Sequence, residues 1–277
     1  MRLFLEVCFR NLYYFFSSKE HRNFYKLLFL YGDRKRYKSL TVTISGQKII
    51  VPDALSFIWQ YKEIFVDQSY KFNTDKKEPI IIDCGSNIGL SALYYHSTYP
   101  NAKVYCIEAD TEIAKILSDN LKTNNCKAEV IAKAAWIHNN GVSFSSEGSD
   151  SGSVGQGDLK VDSLDLAEYL STFKEIDFLK MDIEGAENIV IPHCKEVLNK
   201  VNTLFLEYHG TYSEEQKLNE LLSILKESGF HYYIKTENKR KSPFVNLHQD
   251  LTFRLIFKWK YLCIKPTYCK KQVRFWF

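Results

Sequence analysis

The sequence lacks the features that would assign it to a secreted or membrane-spanning class. Its seven cysteines are an odd number and include no Cys-x-x-Cys pair, which argues against a disulfide framework and a zinc site. The apolar start, Met1–Phe16, is interrupted by Glu6 and Arg10, has no small-residue cleavage site, and is shorter than the about 20 apolar residues that span a bilayer. We therefore expect a protein of the reducing cytoplasm, whose thiols act as small hydrophobic side chains.

An excess of positive charge is confined to the two ends of the chain, and the middle of the chain is acidic. Residues 1–48 carry ten Lys/Arg against three Asp/Glu, and residues 235–277 carry eleven against two. Because the whole chain has a net charge of +4, the residues between them sum to −12. Basic ends can steer a protein towards anionic partners, and peripheral contact with an anionic membrane is one hypothesis. An ordinary solvated surface is the alternative.

From Pro79 onwards the sequence alternates between strand and helix patterns. Ile80–Ile82 is an unbroken β-branched run, which is typical of a strand buried on both faces of a parallel sheet. Four further strands are predicted at Lys103–Ile107, Ala128–Ala132, Ile176–Met181 and Thr203–Leu206, with helices near 88–99, 111–125, 187–199 and 214–228. This order predicts a single Rossmann-like, doubly wound α/β domain with a mostly parallel sheet.

The flanking segments show other patterns. Residues 1–40 are helical and aromatic in character, 41–51 predict a hairpin that turns at Ser45-Gly46, and 54–72 predict a helix. Ser145–Gly157 is rich in Ser and Gly, which predicts a loop without regular structure. We expect three parts: an N-terminal cap (1–75), a ligand-binding α/β domain (76–245), and a basic, aromatic C-terminal extension (246–277). The extension forms either one or two final strands or a surface-binding element.

The segment Asp83–Gly89 is the strongest local signal for a ligand. It follows the first predicted strand, where open α/β sheets bind ligands, and Gly85 allows a sharp turn while Gly89 allows close packing of the next helix. The pattern Gly-x-Asn-x-Gly, with Asn87 at its centre, is not the dinucleotide pattern Gly-x-Gly-x-x-Gly. Asp83 suits the α-amino group of a methionine moiety, which argues against a nicotinamide dinucleotide.

An acidic residue ends the second predicted strand. Glu108 lies 25 positions after Asp83 and can bind both hydroxyls of a ribose, although a helix-capping or surface role is the alternative. We assign the neighbouring Ala109 to the same site. Ala135, which follows the third strand, is expected to border an adenine ring. Together these residues favour an adenosine-containing ligand.

These motifs resemble the FkbM-type family of S-adenosylmethionine-dependent methyltransferases. The resemblance covers about Ile80 to Phe230 and rests on residues 82–89, 107–110, 161–165, 178–187 and 207–209. It implies the class I methyltransferase fold, with the central domain binding S-adenosyl-L-methionine. It also implies O-methyl transfer to a hydroxyl, often of a sugar or natural product, and in bacteria often within polysaccharide biosynthesis.

The run Lys180–Glu187 ends the fourth predicted strand at the same edge of the sheet as the ligand loop. A sugar hydroxyl is a poor nucleophile, so a base beside it is useful. Asp182 and His209 are the candidates for that base, with Glu207 orienting them. A divalent metal held by Asp182, Glu207 and His209 is a further hypothesis that the spacing does not demand.

Two other classes of function remain open. The domain could bind the cofactor or a nucleotide as a non-catalytic interaction module. Methylation of nucleic acid is disfavoured, because the sequence contains neither an Asn-Pro-Pro-Tyr motif nor a Pro-Cys nucleophile and its central domain is acidic. A small-molecule or glycan acceptor is therefore the expected partner.

Overall fold

The computed structural model describes residues 13–16, 18–146, 152–154, 159–210, 217–236 and 255–260. The N-terminal segment contains the predicted hairpin, which turns at Ser45-Gly46, and a helix that ends earlier than the predicted 54–72. Its elements are α1 (Lys19–Tyr31), β1 (Leu40–Ile44), β2 (Gln47–Val51) and α2 (Ala54–Tyr61), which continues as a π-helical turn over Lys62–Val66. Asp53 begins α2, because its carboxylate accepts the amide hydrogen of Ser56.

Strands and helices alternate in the rest of the described chain, as the sequence predicts, except between α4 and α5, where six short strands follow one another. The elements are β3 (Ile80–Cys84), α3 (Leu90–Thr98), β4 (Lys103–Ile107), α4 (Thr111–Thr123), β5 (Glu129–Ile131), β6 (Ala134–Trp136), β7 (Val142–Ser146), β8 (Gly152–Val154), β9 (Leu159–Val161), β10 (Ser163–Asp165), α5 (Leu166–Ser171), β11 (Ile176–Met181), α6 (Glu187–His193), β12 (Val201–Gly210), α7 (Leu218–Glu227), β13 (Lys235–Thr236) and β14 (Leu255–Lys260). A 3₁₀ turn over Lys195–Lys200 follows α6. No helix in the described ranges is long and apolar enough to cross a membrane.

Seven strands form the central sheet, in the order β13-β14-β12-β11-β3-β4-β5. The five strands from β12 to β5 are parallel, and β14 is antiparallel to β12. The chain runs from β3 outwards to β5 and then returns to the other side of β3 with β11. The direction of winding therefore reverses between β3 and β11, which is the point where open α/β sheets form a ligand crevice.

Alternate residues of the central strands face two separate cores. Ile81, Phe178 and Phe205 belong to one core, together with α1, the hairpin, α3 and α4. Ile82, Leu179 and Leu204 belong to the other core, together with α5, α6 and α7. The N-terminal segment thus shares a hydrophobic core with the sheet. The division of the chain at residue 75 stays a prediction.

The prediction of a loop without regular structure over 145–157 is wrong in part. Ser145 and Ser146 end β7, which pairs antiparallel with β8 and β9 in a small sheet of three strands. Backbone hydrogen bonds between these strands pair the main chain in this part of the predicted loop. Residues 147–151 and 155–157 lie outside the described residues. One final strand, β14, confirms the expected strand in the C-terminal extension.

Asn120 on α4 joins the hairpin to the ligand loop. Its side-chain oxygen accepts the amide hydrogen of Ile50 at 2.7 Å, and its amide nitrogen donates to the carbonyls of Ile50 at 3.0 Å and Ile88 at 2.9 Å. Asn120 is fully buried. One turn later, Asn124 makes a similar pair of bonds with Lys48 at a more exposed position.

Replacing Asn120 with Ala should therefore lower the free energy of unfolding by about 3 kcal/mol, because buried backbone groups lose their partners. Asn124→Ala is the matched control and should cost about 1 kcal/mol, since water can reach the groups it leaves. Urea denaturation of the two variants measures both values. Equal losses would contradict the assignment of Asn120 as the buried junction.

Candidate active site

Four of the predicted site residues lie at one edge of the central sheet, because β3, β4 and β11 end at the same level and β12 runs past that level to Gly210. Cys84 of β3 is in register with Ile107 of β4 and with Met181 of β11, and Met181 is in register with Leu206 of β12. The residue that follows each of these four therefore lies at the edge of the sheet where the ligand loop begins. Those residues are Gly85, Glu108, Asp182 and Glu207. The structure thus confirms that the motifs share one edge.

Gly85 lies where the loops after β3 and β11 touch. Its φ is +79°, and a Cβ added there would lie 1.8 Å from the carbonyl oxygen of Asp182. The amides of Gly85 and Ser86 both donate to the carbonyl of Ile107. Only glycine fits this position, because both the backbone conformation and the space exclude a side chain. Gly89 likewise has a positive φ, and its Cα faces Leu117 of α4.

The carboxylate of Glu108 accepts hydrogen bonds from two backbone amides beside the loop. The amide of Asn87 donates to Oε2 at 2.7 Å, and the amide of Asp110 donates to Oε1 at 3.0 Å. Burial raises the pKa of Glu108 to about 7, although the two amides act in the opposite direction. Asp110 itself begins α4, because its side chain accepts the amides of Glu112 and Ile113.

Lys180 connects the two loops through its ammonium group. Its Nζ lies 3.3 Å from Asp83 Oδ1 and 3.4 Å from Asp182 Oδ2, and it donates to the carbonyl of Gly85 at 2.9 Å. Asp83 is fully buried and also accepts a hydrogen bond from the hydroxyl of Ser91. The neighbouring carboxylates raise the pKa of Lys180 despite its burial. The predicted contact between Asp83 and a ligand ammonium stays a prediction, since these partners already occupy its carboxylate.

His209 lies among four carboxylates at the ends of β11 and β12. Its Nδ1 is 3.2 Å from Glu187 Oε1, and its Nε2 is 3.4 Å from Glu184 Oε2 and 3.9 Å from both Asp182 Oδ1 and Glu207 Oε1. Although burial acts in the opposite direction, Glu187, Glu184 and Asp182 raise the pKa of His209 to about 10. The imidazole is therefore charged at neutral pH.

Glu187 holds the loop after β11 as well as the imidazole. Its two oxygens accept the amides of Ile183 at 2.8 Å and Gly185 at 2.9 Å, and its side chain is completely buried. It also lies at the first position of α6, where a carboxylate is favoured by the helix dipole. A position at the start of a helix and a role in the site thus coincide in this residue.

The structure brings together a different set of possible metal ligands from the hypothesised one. Asp182, Glu187 and His209 each place one ligand atom within 4.8 Å of the others. Glu187 takes the place of Glu207 in this set, because the loop after β11 folds back and brings Glu187 to Nδ1 of the imidazole. Both oxygens of Glu187 already accept backbone amides, so a metal would have to share them.

Several residues of the site were not singled out by sequence reasoning. Lys180 and Ser91 hold Asp83, and Tyr70 of the N-terminal segment places its ring centroid 5.7 Å from the ammonium of Lys180. A lysine inside a strand predicted to be buried is a usable signal, because a buried charge needs partners. Tyr70 has no such signal. Ala135 is buried in β6, and its contact with adenine, like that of Ala109, stays a prediction.

The fold and this crevice define a class I, S-adenosylmethionine-dependent methyltransferase. The family described as "Methyltransferase FkbM domain" matches residues 83–232, more than half of the sequence, and the chain belongs to this family. This confirms the resemblance that the motifs indicated. The methyl donor of the family is S-adenosyl-L-methionine.

Individual relatives match over parts of their length. The methyltransferase sdnD of Sordaria araneosa is 40% identical over 72 residues, which are 26% of this chain and 28% of that protein. The 2-O-methyltransferase NoeI of Sinorhizobium fredii is 26% identical over 177 residues, covering 54% of this chain and 72% of that protein. Among solved structures, an S-adenosylmethionine-dependent methyltransferase of Agrobacterium tumefaciens aligns with 83% of this chain and 71% of its own, at 8% identity and a TM-score of 0.46.

The contact between Gly85 and Asp182 gives a direct test of the crevice. Gly85→Ala should abolish measurable binding of S-adenosylhomocysteine in calorimetry, because the new methyl group would displace the loop after β11. Gly46→Ala is the matched control: its φ is +85°, but nothing lies within 4 Å of the added Cβ. It should cost about 1 kcal/mol of stability and leave binding unchanged. Unchanged binding in Gly85→Ala would contradict this geometry.

Proposed function

We propose that this enzyme transfers the methyl group of S-adenosylmethionine to a hydroxyl of a sugar, glycan or related small molecule. The observation that carries the proposal is the group of carboxylates around His209, directly beside the cofactor crevice. Carboxylates accept hydrogen bonds from sugar hydroxyls. The relative NoeI, which is named as a 2-O-methyltransferase, supports the same reaction.

The cofactor is assigned to the switch point between β3 and β11. Glu108 accepts the ribose hydroxyls, Gly85, Asn87 and Gly89 shape the loop beneath the methionine moiety, and Ala109 and Ala135 border the adenosine. Asp83 acts through Lys180 and Ser91, which it holds in place. Because the sulfonium and the α-amino group are both positive, an excess of carboxylates favours binding of the donor over its neutral-sulfur product.

The catalytic role falls to Asp182. Its side chain is 23% exposed and that of Glu184 is 24% exposed, whereas those of Glu187 and Glu207 are 0% and 5% exposed, so an acceptor can reach the first two more readily. Of these two, Asp182 directly follows β11 and its backbone lies against Gly85 of the ligand loop, which places it nearer the donor. Asp182 accepts the hydrogen bond of the acceptor hydroxyl and takes its proton as the new C–O bond forms. The bond between the methyl carbon and the sulfur of the donor would break at the same time, and the neutral thioether is an excellent leaving group, so holding the hydroxyl in line supplies much of the rate.

His209 and Glu207 position this carboxylate instead of exchanging protons. An imidazole whose pKa is about 10 is already protonated at neutral pH and cannot accept a proton from the substrate. We therefore assign His209 the role of a cation that steadies Asp182 and Glu184; its role as the base stays a prediction. Glu207 approaches the same Nε2 atom at 3.9 Å and keeps the expected orienting role.

The acceptor should be neutral around the reacting hydroxyl. Asp182, Glu184 and Glu207 surround the position next to the crevice, and they would repel a phosphate or a carboxylate placed there. Neutral sugars, including the terminal residues of oligosaccharides, fit this charge distribution.

The proposal is tested by incubating purified protein with isotopically labelled S-adenosylmethionine and a panel of neutral and acidic sugars, and by measuring transfer of the labelled methyl group to each sugar. Binding of the donor without transfer to any sugar would favour the alternative of a non-catalytic binding module.

Substitution of Asp182 by Asn should lower kcat by at least about 10²-fold while leaving the affinity for S-adenosylhomocysteine nearly unchanged. Asp119→Asn on the exposed side of α4 is the matched control and should behave as wild type.

Treatment with a chelator should leave turnover intact, because His209 is held as a cation by carboxylates. Loss of turnover on chelation, restored by Mg²⁺ or Mn²⁺, would instead identify Asp182, Glu187 and His209 as a metal centre.

The affinity for S-adenosylmethionine should fall as the pH drops through about 7. Burial raises the pKa of Glu108 to about 7, and only the ionised carboxylate can accept both ribose hydroxyls. Below that pH the affinity should therefore fall by up to about tenfold per unit. Calorimetry between pH 5.5 and 8.5 measures this, with Glu108→Gln expected to bind weakly and independently of pH. If Glu108→Gln kept the wild-type profile, another group would be responsible.

A further inference from the structure

The outer side of the N-terminal segment carries an unusual concentration of exposed apolar side chains. We name this surface the aromatic face; its residues, with their exposed fractions, are Phe16 (70%), Leu28 (37%), Phe29 (89%), Leu30 (48%) and Trp59 (53%). Single exposed hydrophobic residues are common on soluble proteins, but neighbouring ones mark interaction sites.

Helical spacing places Phe29, the most exposed of the five, on the outermost line of α1, with Leu28 and Leu30 flanking it on opposite sides. The guanidinium of Arg22 donates to the carbonyl of Phe16 at 3.0 Å, which holds Phe16 beside the first turns of α1. Phe29 lies seven positions after Arg22, on the same side of the helix. The ring of Trp59 lies 5.8 Å from that of Phe24, and Leu28 follows Phe24 by one turn.

Basic side chains share this side of the helix. Lys19, Arg22 and Lys26 are exposed and follow the same line as Phe29. The loop after α1 adds exposed Arg34, Lys35 and Lys38. Among residues 13–48 there are eight Lys/Arg and two Asp/Glu, whereas residues 49–234 carry a net charge of −12. The chain therefore presents a positive, apolar side and a negative body.

We propose that the aromatic face docks on an anionic lipid bilayer. Exposed aromatic and aliphatic side chains partition into the interface of a bilayer, and lysines beside them are attracted to anionic headgroups. A nucleic acid would use the basic residues but gives no reason for exposed Leu28 and Leu30. A second copy of the chain, paired through this face, would bring like charges together. The acidic body turns away from an anionic surface, which sets one orientation.

Attachment of the aromatic face to a bilayer does not depend on the identity of the methyl acceptor. Two kinds of change separate its components: Phe29→Ser removes the most exposed apolar side chain, and the double variant Lys19→Glu/Lys26→Glu reverses charge beside it. None of these three residues is part of the proposed catalytic or cofactor machinery. Matched controls lie elsewhere: Tyr233→Ser removes an aromatic side chain that is 61% exposed, and Lys115→Glu/Lys122→Glu reverses exposed charges on α4.

Co-sedimentation of the full chain with phosphatidylcholine vesicles, with and without 30% phosphatidylglycerol, tests the proposal. Wild type and both controls should bind the anionic vesicles, while Phe29→Ser and Lys19→Glu/Lys26→Glu should each lose at least about tenfold in partition coefficient. Calorimetry with S-adenosylhomocysteine shows that each variant is folded. Binding that is absent, or equal for all variants, would overturn the proposal. Self-association without vesicles that Phe29→Ser abolishes would assign the face to a second copy.

Discussion

The site depends on one buried cation, the ammonium of Lys180, which lies between the carboxylates of Asp83 and Asp182. Each of these charges alone would be costly in the interior, so the three stabilise one another only as a set. Because Asp83 belongs to β3 and Asp182 follows β11, the ion pairs join the two strands at the point where the winding reverses. The close approach of Gly85 to the backbone carbonyl of Asp182 lies at the same junction.

A second cation repeats this arrangement one strand further out. His209 lies in the middle of Glu184, Glu187 and Glu207 as Lys180 lies between its two carboxylates, and Asp182 is close to both cations. Carboxylates still outnumber these cations, which leaves the crevice negative. Such a site is matched to a donor that carries a sulfonium and an ammonium, and it is poorly matched to an anionic acceptor. The charge distribution thus links the choice of cofactor to the choice of acceptor.

Much of the site could be predicted because it depends on where strands end. Parallel strands end at one edge, so the positions of Glu108 and Asp182 follow once the strands are recognised, and the predicted Ile176–Met181 matches β11 residue for residue. What could not be predicted depends on contacts between distant parts of the chain. The protonation of His209 requires knowing that Glu187 folds back towards it, and no local pattern places Tyr70 beside Lys180.

Contacts between distant parts of the chain also join the N-terminal segment, which the sequence predicts as a cap, to the site. Asn120 bonds its hairpin to the backbone of Ile88, and Tyr70 packs its ring edge-on against Phe205 while facing Lys180. A cap in the usual sense can move without altering the site beneath it. This segment cannot, because its side chains supply one wall of the core and one neighbour of the central ammonium. A contact of its outer side with a membrane would therefore act on an element that is continuous with the catalytic crevice.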